Sequence, residues 1–213
     1  MKLLKLKKKR TQMIELGKTR IQRKNQATIL DAALDVFSTF GFRGATLDLI
    51  ASTAGLSKPN LLYYFPSKEA IHSAVLAELL QTWLAPLKKL DKDGDPIEEI
   101  IIYVINKLHA SRDFPRESRL FANEIVQGAP RIKSILETDL RYLVEDKVRV
   151  IDKWIQEGRL AKIDPYHLIF SIWSLTQHYA DFDVQVQAVT GQKTSFSEAE
   201  LFLDHLYRRM LAP

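Results

Sequence analysis

Between Thr46 and Lys68 the stretch TLDLIASTAGLSKPNLLYYFPSK brings short hydrogen-bonding side chains and cations close together. Thr46, Ser57, Lys58, Asn60, Tyr63 and Lys68 supply hydroxyls, an amide and two ammonium groups, with Pro59 among them. The stretch contains no nucleophile with a base beside it and no cluster of metal ligands. Its chemistry is recognition, because hydroxyl, amide and ammonium donors meet phosphate oxygens and base edges. A second set lies downstream. Trp173 and Gln177 are four residues apart and share a helical face. A flat, neutral ring stacks on an aromatic wall, and an amide side chain complements an edge where C=O and N–H sit side by side. Trp83 offers a second wall, and His178 is a polar candidate for the same pocket. Both tryptophans have a simpler reading as core residues.

His167 and His178 do not make a metal site. Eleven residues apart on one helix, they stand about 16 Å from each other at a rise of ~1.5 Å per residue, too far for one ion at the ~2 Å of a His–metal bond. No cofactor and no metal are expected. The chain has no Gly-x-Ser-x-Gly, no phosphate-binding glycine loop, no His-Glu-x-x-His and no paired catalytic carboxylates with a histidine, so it is not read as an enzyme.

The elements that position these residues are helices. In NQATILDAALDVFSTFGF, Ile29, Ala33, Val36, Phe37 and Phe40 recur at helical spacing, and Gly41 is a natural stop. Thr46 stands where a cap belongs, before LDLIASTA with its stripe Leu47, Ile50 and Ala54. Gly55 ends that helix, and Ser57 caps the next, KPNLLYYF, with Pro59 in its first turn and Leu61 and Leu62 facing inward. Two short helices joined by a glycine turn make a helix-turn-helix, in which the first helix braces the second against the major groove. The remainder is helical between breaks at Asp91–Pro96, Pro115, Gly128, Gly158, Asp164–Pro165 and Gly191. No strand-like alternation appears, and the reading is all-α with about nine helices.

The 213 residues, 46% hydrophobic, suffice for one large or two small domains with a real core. The absence of cysteine removes disulfides and thiolate chemistry and fits a reducing compartment. No apolar run reaches the ~20 residues of a membrane span, and MKLLKLKKKR is a poor secretory signal; a cytoplasmic location without a membrane partner is expected. The net charge of +5 hides an asymmetry. Residues 1–26 carry ten Lys/Arg against the single acid Glu15, whereas the rest carries 21 Lys/Arg and 25 Asp/Glu. A basic arm on a mildly acidic body suits a polyanion partner. The alternative is an all-α interaction protein that binds RNA or acidic surfaces through this arm.

The run ILDAALDVFSTFGFRGATLDLIASTAGLSKPNLLYYFPSKEAI resembles the N-terminal signature of the TetR family of bacterial transcriptional regulators. An aliphatic first helix, Gly41, Thr46, Ile50-Ala51, Ala54-Gly55, Ser57, Leu62-Tyr63, Phe65 and Lys68-Glu69 carry the likeness. It implies that Thr46, Ser57, Lys58, Pro59, Asn60, Tyr63 and Lys68 lie at the DNA, with Pro59 standing where a polar residue is more usual. It also implies a homodimer on a palindromic operator, and a C-terminal helical body that dimerises through its last two long helices and holds an effector. The expected division is a basic arm at 1–24, a helix-turn-helix domain at 25–69 and an effector and dimerisation domain at 70–213. Ile169, Ile172, Trp173, Leu175, Tyr179, Phe202 and Leu206 would form the dimer face. NLLYYFPSKEA, WLAPL, SRLF, HLIFSIWSLTQHYADF and QAVTG further resemble a member of that family that responds to uracil and related pyrimidines. The implied effector is a pyrimidine base, held by Trp83, Trp173, Gln177 and His178.

Overall fold

The computed structural model describes residues 20–213, whose regular elements are all helices, with no strand among them. They divide into two compact units at Val75/Leu76. This division lies inside a continuous helix, beyond the 69/70 boundary drawn from sequence; a break in packing within an unbroken helix leaves no Gly, Pro or charge signal.

The first unit begins with α1, Arg20–Gly44. Arg20–Lys24, assigned by charge to the arm, are its first turns; the rest of the arm lies outside the described residues. Their helix has no apolar stripe to announce it and is tied down by tertiary hydrogen bonds instead. Gln22 Nε2 donates to Tyr63 Oη at 3.3 Å, and Asn25 Nδ2 to Tyr64 Oη at 2.9 Å. Gly41, at φ 66° and ψ 173°, breaks α1 where the stop was expected, and one further turn follows. Two short helices come next, α2 at Leu47–Thr53 and α3 at Lys58–Tyr64, and then α4 at Lys68–Lys88. Ile29, Phe37, Ile50, Leu61 and Ile71 are fully buried and close this unit. Leu62, expected inside, is 38% exposed, because in a seven-residue helix only Leu61 faces the core, with Phe65 completing it.

The second unit contains α5 (Pro96–Asp113), α6 (Pro115–Val126), α7 (Arg141–Gln156), α8 (Pro165–Asp181), α9 (Asp183–Thr190) and α10 (Phe196–Leu211). A short turn at Lys133–Ile135 and a π-helical turn at Leu136–Leu140 lead into α7. Asp95 and Asp164 cap α5 and α8, each followed by proline in the first turn. The long helix expected after Asp164 is two: Phe182, at φ −118° and ψ 29°, separates α8 from α9. With this split there are ten helices of seven residues or more among the described residues.

α5 is the central rod, packed against both α8 and α10. Ile100, Val104, Leu108, Leu168, Ile172 and Leu203 fill the space between them. Ile169 and Ile172, expected on a face between two subunits, are 1% exposed and belong to this internal core. The apolar side chains that α8 and α10 leave in solvent are Tyr166, Phe170, Leu201 and Phe202. Both sets obey helical spacing, so only the packing of α8 against α5 separates them.

Candidate functional site

In the first unit the recognition residues line up along α3 and its approach. Thr46 Oγ1 accepts from the Leu49 amide at 3.1 Å and caps α2; Ser57 Oγ accepts from the Asn60 amide at 3.4 Å and caps α3. Each hydroxyl keeps its own proton to donate outward. Gly55 takes φ 67° in the turn between them, which a residue with a Cβ adopts only at a cost. With Leu61 buried, α3 presents Lys58, Pro59, Asn60, Leu62 and Tyr63 to solvent, Tyr63 at 71%. Lys58 Nζ pairs with Asp48 at 2.9 Å across the turn. Both partners are exposed, so this pair holds the ammonium weakly and a phosphate can compete for it.

Lys68 is placed differently from the expectation that it adds charge to this edge. Its Nζ donates to the Phe42 and Ala45 carbonyls, both at 2.8 Å, and lies 4.5 Å from the centroid of the Phe42 ring. It ties the start of α4 to the turn between α1 and α2, and two of its three protons are engaged there. Tyr64, half-buried and bonded to Asn25, has a structural place, whereas Tyr63 stands outside with its ring edge against Tyr64 at 5.1 Å between centroids.

In the second unit a polar cluster is buried where α4, α5, α6 and α8 supply side chains. Trp83 is 4% exposed, and its indole N–H is buried with no hydrogen-bond partner among the described residues. Phe121 stacks near one side, 6.5 Å between centroids. Lys107, also 4% exposed, holds Nζ 3.4 Å from the centroid of the Trp83 ring. Among the described residues no hydrogen bond or ion pair within 4 Å is formed by that ammonium. Burial lowers its pKa to about 7, with the Asp181 carboxylate pulling it back up. Asp181 accepts a short hydrogen bond from Ser118 Oγ. Burial raises the pKa of Asp181, opposed by that bond and by Lys107, Arg119 and His178.

Trp173 lies one turn of α5 away. Its indole N–H donates to Tyr103 Oη at 2.6 Å, and burial raises the pKa of that phenol, so Tyr103 is a neutral acceptor. Tyr103 and Lys107 are four apart on α5, as are Trp173 and Gln177 on α8, with Asp181 a turn further on. The two helices thus carry their polar groups in matching order. Gln177 is half-buried. His178 is exposed, its ring stacked on the exposed Phe182 at 5.1 Å between centroids. It acts electrostatically on Asp181, which itself accepts from Ser118. Lys107, Ser118 and Asp181 were missed from sequence. An interior lysine in INKLHASRD reads as one more cation on a polar face until the fold shows which side is covered.

A helix-turn-helix with an open second helix, joined to a helical body with a buried polar cluster, is the layout of a DNA-binding regulator. Residues 29–75 match the family described as bacterial regulatory proteins, tetR family, and residues 76–213 match the YcdC-like protein, C-terminal region. The chain is similar to the HTH-type transcriptional regulator RutR of Escherichia coli strain K12, 55% identical over 163 residues, which are 76% of this chain and 77% of that one. It is 30% identical over 129 residues to the HTH-type transcriptional regulator SrpR of Pseudomonas putida, covering 54% of this chain and 59% of the relative. Among solved structures, a bacterial regulatory protein in the tetR family from Rhodococcus RHA1 superposes with a TM-score of 0.74 at 20% identity, over 89% of this chain and 97% of that one. AibR, solved with isovaleryl coenzyme A and operator DNA, gives 0.70 at 14% identity, over 85% and 97%. The chain belongs to the TetR family of transcriptional regulators and is a DNA-binding protein, not an enzyme. No helix among the described residues is long and apolar enough to cross a membrane.

Proposed function

We propose that this protein is a cytoplasmic, homodimeric repressor that binds a palindromic operator and is released by a pyrimidine base such as uracil. The carrying observation is Lys107, whose side chain is buried and whose Nζ lies 3.4 Å from the centroid of the Trp83 ring with no hydrogen bond or ion pair to another described residue. An unpaired buried donor costs about 1–3 kcal/mol, and a ligand that supplies an acceptor oxygen to this nitrogen removes that cost. A pyrimidine-2,4-dione has two carbonyl oxygens and a face that stacks on an indole. Gln177, half-buried on α8 four residues from Trp173, would meet its imide edge with one donor and one acceptor. The 55% identity to RutR supports the same reading.

DNA contact is assigned to Thr46, Ser57, Lys58, Pro59, Asn60 and Tyr63, with Lys68 supporting the turn behind them. Two copies of α3 would enter successive major grooves about 34 Å apart, and the apolar side chains exposed on α8 and α10 give a face for the second copy. Release requires that the base bind more tightly to the conformation that fits DNA less well, by roughly 3 to 5 kcal/mol for a full switch. Trp83 and Lys68 sit on the same helix, α4, which is the continuous element to carry that difference.

Selection of genomic duplex fragments with and without uracil tests the reading. One palindromic motif is expected, lost when uracil is added. A motif unaffected by uracil overturns the effector, and the absence of any motif overturns the operator.

A further inference from the structure

Resting on the pyrimidine reading, we propose that Lys107 is the specificity-determining residue of the effector site and captures its ligand by moving from the Trp83 ring to a ligand oxygen, taking up a proton as it does so. The geometry gives the ammonium one strong contact, the indole face at 3.4 Å. A desolvated contact of that kind is worth about 2 kcal/mol, less than a charge-assisted hydrogen bond together with a stacked ring. A base that stacks on Trp83 takes the ring face, and the displaced ammonium has a carbonyl oxygen to meet.

The charge balance around Lys107 makes this exchange proton-linked. From α8 it faces Asp181, with His178 beyond; from α6, Ser118 and Arg119 act on that same carboxylate; from α4 the uncharged indole of Trp83 lies against it. On its own helix His109 is committed to Glu200 of α10 at 2.9 Å. Asp181, the carboxylate that acts on it, is bonded to Ser118 and leaves the amine undercompensated, so at neutral pH the free protein holds Lys107 partly deprotonated. A carbonyl oxygen accepting from Nζ favours the ammonium form, which raises its affinity for the proton in the complex. Affinity is therefore full below pH 7 and falls above it, approaching about tenfold per pH unit. Rings that lack a carbonyl acceptor gain nothing from the exchange and are rejected.

Calorimetric titration of uracil into the full-length protein between about pH 6 and pH 8.5, in two buffers of different ionisation heat, measures the affinity and the protons bound. Uptake should rise from near zero to nearly one proton as affinity weakens. In Lys107→Arg, whose guanidinium stays charged, any remaining affinity should be flat over this range. Equal affinity at every pH with no uptake by the wild type overturns the proposal alone, as does an arginine variant that keeps the wild-type pH dependence. No uracil binding at any pH overturns the pyrimidine reading, and this proposal with it.

Discussion

The indole N–H of Trp173 donates to the Tyr103 hydroxyl at 2.6 Å, whereas the indole N–H of Trp83 has no partner among the described residues. The two tryptophans therefore have different roles. Trp173 is held in place by α5; Trp83 has an unmet donor and a cation over its ring.

Replacing Tyr103 with Phe removes the acceptor and leaves the Trp173 N–H in the interior. The expected loss is about 1–3 kcal/mol of stability, read as a lower urea midpoint with unchanged slope. An unchanged midpoint would mean that Trp173 finds water or another acceptor.

The pH dependence of stability isolates Lys107. Its native pKa near 7 lies below the ordinary lysine value, so the unfolded chain binds more protons between pH 7 and pH 10. Stability contributed by this group rises with pH across that window, and the full cost of the buried cation is present below it. Lys107→Met should be more stable than the wild type at pH 7 by a few kcal/mol, with a gap that narrows towards pH 10. Parallel curves for the two proteins would show that Lys107 is not a desolvated cation.

At the DNA surface Lys58→Ala should leave the fold intact, because the side chain is exposed and its partner Asp48 even more so. Operator affinity should fall at low salt, and the slope of log affinity against log salt should shrink by about one. A slope equal to that of the wild type would remove Lys58 from the phosphate contacts.

Gln177→Leu tests the effector edge. Operator affinity should match the wild type, while uracil should no longer release the DNA, since the variant lacks both the donor and the acceptor for an imide. Release at wild-type uracil concentration would move the pocket away from α8.

Much of the fold was legible in local chemistry. Thr46, Ser57 and Asp164 are caps where hydroxyl or carboxylate precedes an apolar-periodic run, and Gly41 and Gly55 have positive φ where a turn was expected. These choices involve neighbours within a few residues, so the order of side chains determines them. The outward face of α3 followed in the same way, apart from Leu62.

What the tertiary structure alone decided is which side of each helix is covered and which polar groups are left without partners. Periodicity marks Ile169, Phe170, Ile172 and Trp173 as apolar positions equally; only the packing of α8 against α5 sends the isoleucines inside and leaves Phe170 in solvent. Helical residues 20–24 and the half-buried position of Lys68 depend on partners 20 or more residues away. The buried ammonium of Lys107 under Trp83 is the clearest case. Burial is a property of everything that surrounds a group, and a lysine has the same formula whether water or an indole ring covers it.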